Sequence, residues 1–97
     1  MLTSSELEKG ILDIAKRNLG PSTVSRVRVK NDADLDGKDS LRITIVLKAK
    51  NVKLLGDRLS KIKISIIDFL QANGDFRFPY THYATEAELK ALARHAS

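Results

Sequence analysis

Residues 41–50 alternate without a break: Leu41, Ile43, Ile45, Leu47 and Ala49 fall on one side, and Arg42, Thr44, Val46, Lys48 and Lys50 on the other. Residues 24–30 repeat the pattern, with Val27 and Val29 set against Arg26, Arg28 and Lys30. A period of two in both stretches predicts two strands, each with one face in a core and one in water. The polar connection between them contains Gly37, which predicts an antiparallel hairpin. A sheet with one apolar face needs an apolar cover, and the flanks of the chain supply it.

Before the hairpin, Leu7, Ile11, Ile14, Ala15 and Leu19 recur at helical spacing, and Gly20-Pro21 marks the stop. Ser5 with Glu8 reads as the capping box of this helix. After the hairpin, Val52, Leu55, Leu59, Ile62, Ile66, Phe69, Leu70 and Ala72 form one stripe of a helix over about 52–73, closed by Asn73-Gly74. Residues 76–83 alternate again and read as a short third strand. Pro79 has no N–H to give, which places that strand at a sheet edge. A last helix opens at Thr85, with Glu88 completing its capping box, and carries only Leu89 and Leu92 besides alanines. The predicted fold is therefore a two-layer α+β domain, α-β-β-α-β-α. An antiparallel hairpin and a short edge strand are covered on one face by two amphipathic helices. A single domain spans 1–97, and its C-terminal helix, about 85–95, is weakly attached.

Composition narrows the function classes. The chain has 97 residues, with 17 Lys and Arg against 12 Asp and Glu, a net charge of +5. It has no cysteine, which excludes disulfides, thiolate metal sites and Cys nucleophiles. No apolar run reaches the roughly 18 residues of a membrane span. The opening MLTSSE has neither the basic nor the apolar region of a secretory signal. A soluble chain in the cytoplasm, without membrane contact, is expected.

Three places can carry function. The first is the polar face of the hairpin, where Arg26, Arg28, Lys30, Arg42, Lys48 and Lys50 gather without an acid among them. Like charges opposite one another weaken a strand pair, so an acidic partner, nucleic-acid phosphate or an acidic protein, would relieve them. With no aromatic on these two strands, nucleic acid would be held by its backbone alone. A solvated face kept open by charge explains the same residues. The second is the loop Asp32, Asp34, Asp36, Gly37, Asp39, which begins like a calcium loop. The resemblance stops at Ile43, where the bidentate Glu should stand, and a polar hairpin turn accounts for the aspartates. The third is the aromatic segment. Every aromatic lies in 69–83, and Arg77 and His82 stand among them, the composition of an interaction hot spot. Phe69, Phe76 and Phe78 are expected in the core, whereas Tyr80, His82 and Tyr83 suit either a core edge or a contact. With Arg77 and the outward Ile64 these form the expected protein-interaction set.

No nucleophile motif, phosphate loop or dinucleotide fingerprint is present, and neither His82 nor His95 has a second metal ligand at helical spacing. His82 with Tyr80 and Arg77 is the remaining acid–base combination. The chain is expected to be no enzyme and to use no cofactor, and no small-molecule substrate is implied.

Residues 36–46 (DGKDSLRITIV), 74–80 (GDFRFPY) and 83–89 (YATEAEL) resemble a group of small bacterial proteins associated with two-gene modules of the toxin–antitoxin kind. The resemblance covers about 27–89 and brings no catalytic residues. It implies a bacterial, non-catalytic protein that binds a protein partner, with Arg77, Phe78, Pro79 and Tyr80 as a recurring unit, either a structural corner or the contact itself. The overall expectation is a protein-interaction module, antitoxin-like or homodimerising. Phosphate-backbone binding by the hairpin face is the alternative.

Overall fold

The computed structural model describes residues 2–33, 35–48 and 56–96, with Arg94, His95 and Ala96 in backbone only. The order is α1 (Ser4–Leu19), β1 (Val24–Ala33), β2 (Asp39–Leu47), α2 (Gly56–Ala72), β3 (Phe78–Thr85) and α3 (Glu86–Ala96). The α+β order expected from periodicity is the one found.

The three strands form one mixed sheet in the order β1-β2-β3. β1 and β2 pair antiparallel, with an irregularity between Val24 and Arg26, and β3 runs parallel to β2. A parallel neighbour needs a long crossover, and α2 supplies it. Both β1 and β3 are thus edge strands, and Pro79 stands on one of them, where its missing N–H is tolerated.

The core lies between the sheet and two helices. Val24, Val27, Leu41, Ile43, Ile45 and Leu47 meet Leu7, Ile11, Ile14, Ala15 and Leu19 of α1 and Ile62, Ile66 and Leu70 of α2. Leu59, Phe69 and Val29 pack at its margin. Ala72 is exposed, because the stripe leaves the sheet in the last turn of α2. Val52, Leu55 and Ala49 lie outside the described residues.

The caps differ from expectation at α1. The capping box is Thr3 with Glu6, not Ser5 with Glu8: the Glu6 N–H donates to Thr3 Oγ1 at 3.2 Å and the Thr3 N–H to Glu6 Oε1 at 3.0 Å. The first eight residues hold the same S/T-x-x-E pattern twice, and the earlier box lets Leu7 join the buried stripe within the first turn. α3 is capped as expected. The Glu88 N–H donates to Thr85 Oγ1, and the Thr85 N–H to Glu88 Oε1. α2 ends at Gly74, whose φ of 71° is the left-handed conformation that glycine adopts without strain, and the Asp75 N–H returns to the Leu70 carbonyl at 2.9 Å.

No helix among the described residues is long and apolar enough to cross a membrane.

Candidate functional site

The direction of β3 decides what the outer sheet face contains. Parallel pairing sets Phe78 beside Ser40, Tyr80 beside Arg42, His82 beside Thr44 and Ala84 beside Val46. On the other side of β2, Arg42 meets Lys30, Thr44 meets Arg28 and Val46 meets Arg26. Paired residues share a face. The outer face therefore carries the rows Arg26-Val46-Ala84, Arg28-Thr44-His82, Lys30-Arg42-Tyr80 and Asp32-Ser40-Phe78. The cationic and the aromatic candidates, 30 or more residues apart in the chain, occupy one surface.

That surface is not free of acid, contrary to expectation. Arg42 pairs with Asp32 at 2.9 Å, which offsets the like-charge contact with Lys30. Arg26 is held by Glu86 from the first turn of α3, through Nε at 3.0 Å and Nη2 at 3.2 Å, and Ser25 Oγ donates to the same carboxylate. These hydrogen bonds hold the Glu86 carboxyl below its ordinary range, with the Arg26 contact the largest cause. They tie the start of α3 to this end of β1; Val46, paired with Arg26, is fully buried although it belongs to the outer face. Arg28 and Lys30 are exposed and form no ion pair among the described residues. Lys48 is also exposed, and Lys50 lies outside the described residues. Near the hairpin turn, Asp32, Ser40, Arg42, Tyr80 and His82 border a depression of about 300 Å³.

Arg77 takes another role. It is 9% exposed and Asp75 is 1% exposed, so both point into the fold. Arg77 Nε donates to Asp75 Oδ1 at 2.9 Å, and Nη2 donates to Oδ2. The remaining Nη1 reaches Asn31 Oδ1 on β1, and Nη2 also reaches the Leu2 carbonyl at 3.4 Å. One guanidinium thus ties the segment after α2 to β1 and to the start of the chain. The hydrogen bonds from Arg77 hold the Asp75 carboxyl below its ordinary range. Arg77 is therefore no part of an exposed contact, because its charge is satisfied inside. An Asp-x-Arg spacing puts both side chains on one side of an extended chain, a sign present in the sequence.

The burial of Arg77 reverses the expectation for the phenylalanines. With Arg77, Pro79 and Tyr83 inward, Phe76 is 78% and Phe78 47% exposed, and only Phe69 packs against the core. Tyr83 is half-buried against the core, its hydroxyl donating to the Leu59 carbonyl at 3.5 Å. Burial pushes its phenol up to about 12. Tyr80 and His82 are exposed. The Phe78 ring lies 4.8 Å from that of Tyr80, and the Lys63 ammonium sits 5.8 Å above Phe78.

A second surface follows the open edge of β3. Ile67 and Gln71 of α2 meet Phe76, Phe78 and Pro79 around a depression of about 240 Å³. Ile64, 61% exposed, lies one turn before Ile67 on the same side of α2. Of the expected interaction set, Ile64 belongs here, Tyr80 and His82 belong to the outer sheet face, Arg77 belongs to the interior, and Tyr83 is half-buried at the core margin. Phe76 and Phe78 are the contact candidates that composition hid, since a phenylalanine is read as core by default.

In the aspartate loop, Asp34 lies outside the described residues. Asp32 is engaged by Arg42 and by the Ala33 N–H. Among the described residues no group of three His, Asp or Glu side chains could hold a metal ion.

No protein-family model, no curated protein and no solved structure matches the chain.

Proposed function

We propose that this protein works by binding another protein chain, without chemistry of its own, and that the contact is the open edge of β3 with the adjoining side of α2. The observation that carries this reading is the pair of exposed rings Phe76 and Phe78 on the depression they line with Ile67 and Pro79, with exposed Ile64 one turn before Ile67 on α2. Large apolar side chains grouped on a surface mark interaction sites, and aromatic anchors beside a pocket dominate their energy. Pro79 breaks the donor row of this edge, so docking by side chains into the α2–β3 depression is favoured over addition of a strand.

The test is co-purification from the native host with nuclease treatment, comparing the natural chain with Phe76→Asp and Ile64→Asp. Both residues are exposed, so both variants should melt like the parent. A stoichiometric protein retained by the parent and lost by the variants is the expected result. Hot-spot truncation costs about 2 kcal/mol, roughly a 30-fold loss of affinity. A concentration-dependent dimer of the parent that is lost in the same variants would put a second copy of this chain on the patch. A complex indifferent to both substitutions refutes the site.

A further inference from the structure

The outer face of the sheet has a different chemistry from the β3 edge. We propose that it binds single-stranded nucleic acid, with Arg28, Lys30 and Arg42 on the phosphates and Tyr80, flanked by Phe78 and His82, stacking on bases. This goes beyond the protein-partner reading and does not rest on it.

The central rows hold Lys30 beside Arg42 beside Tyr80, and Arg28 beside Thr44 beside His82. Neighbouring strands lie about 4.8 Å apart, so each row spans roughly 10 Å from cation to ring. A single strand lying along the sheet can then set its phosphates over β1 and β2 while its bases turn towards β3. Arg28 and Lys30 have no ion pair among the described residues, so a phosphate would displace water only. Arg42 is held by Asp32 in an exposed pair, which a phosphate can replace. Thr44 and Ser40 are small, which leaves the middle strand low on either side of Arg42. Rings on an open sheet accept any base, because every base has a π-face. A duplex hides its bases and offers only its backbone, so it should be the poorer ligand. Glu86 and Asp32 stand at the two ends of the face, and Glu8 of α1 borders the depression that Arg28, Lys30, Arg42 and Thr44 line.

The experiment is fluorescence anisotropy of the full chain with a labelled ten-nucleotide RNA of mixed sequence, at 50 and 200 mM salt. Three phosphate contacts predict a loss of about 20-fold in affinity between the two salt concentrations. Arg28→Glu with Lys30→Glu should abolish binding. Tyr80→Ala should weaken it about tenfold, and Tyr80→Phe should restore it, since the ring is kept. Phe76→Asp, outside this face, should leave it unchanged, which separates this proposal from the protein contact. Competition by DNA of the same sequence distinguishes the two sources of single strand. Variants are first checked for parental melting. The proposal is overturned by absence of binding at 50 mM salt, by full affinity in Tyr80→Ala, by a duplex that competes as well as the single strand, or by polyglutamate competing equally, which would make the face a general anion or acidic-protein surface.

Discussion

Replacing Arg77 by Met should be among the most damaging single changes on this chain, although Arg77 is a charged residue beside a turn. The variant keeps the length of the side chain and removes the guanidinium. Asp75 is then left 1% exposed with its charge and without its two side-chain donors, keeping the Arg77 N–H at 3.2 Å. Breaking a buried pair from one side costs about 3–5 kcal/mol. The retained backbone donor places the expectation at the low end, about 3 kcal/mol. In a domain of this size that is a fall in Tm of roughly 12–24 °C. Arg77→Lys should recover only part, because one ammonium cannot serve both carboxylate oxygens and Asn31 together. The folded Asp75 carboxyl sits below its unfolded value of 3.8, so its contribution is complete above that value and disappears as pH falls through the lower folded value. The gap between parent and variant should therefore narrow in acid. Urea unfolding followed by circular dichroism at pH 7 and in steps down to pH 3 measures both. A variant within about 0.5 kcal/mol of the parent at pH 7, the scale of an ordinary surface substitution, would refute the reasoning. So would a gap that stays constant with pH.

Two further outcomes follow from buried contacts. The Tyr83 phenol is raised to about 12 by burial, so the folded state favours its neutral form, and stability should fall as pH rises from about 10 through 12; Tyr83→Phe should remove this alkaline loss, and an unchanged alkaline profile would place the phenol in water. At Gly10 an added Cβ would stand 2.3 Å from Phe69 Cζ, so Gly10→Ala must displace a ring packed at the core margin. Overpacking costs about 1–3 kcal/mol against a gain of about 1 kcal/mol in helix propensity, so net destabilisation is expected. Combining it with Phe69→Leu should cost less than the two changes summed, as a double-mutant cycle by urea unfolding would show.

The absence of aromatics on the hairpin strands led to an expectation of backbone-only nucleic-acid contact. That expectation considered β1 and β2 alone, whereas β3 adds Phe78, Tyr80 and His82 to the same face. The aromatic segment misled in the same way. Phe76 and Phe78 are read as core and Arg77 as surface, since hydrophobicity is a one-residue property and the burial of Arg77 rests on Asp75, Asn31 and Leu2. Alternation correctly separated the two sides of β3 and could not say which side faces the helices.

What the amino-acid sequence determined by itself is what repeats locally. The stripe Leu7-Ile11-Ile14-Ala15-Leu19, the inward set Leu41-Ile43-Ile45-Leu47, the cap at Thr85 and the turn at Gly74 each depend on neighbours within a few residues, where periodicity and backbone preference act. Only the tertiary structure decided that β3 lies parallel to β2, that Tyr80 stands beside Arg42, and that Glu86 reaches Arg26 across 60 residues. Strand pairing carries no local signature: the same alternating segment can pair with either edge of a hairpin and in either direction. The choice is made by the long-range packing of α2, the crossover from β2 to β3, against the sheet and α1, and with it the choice of which side chains share a surface.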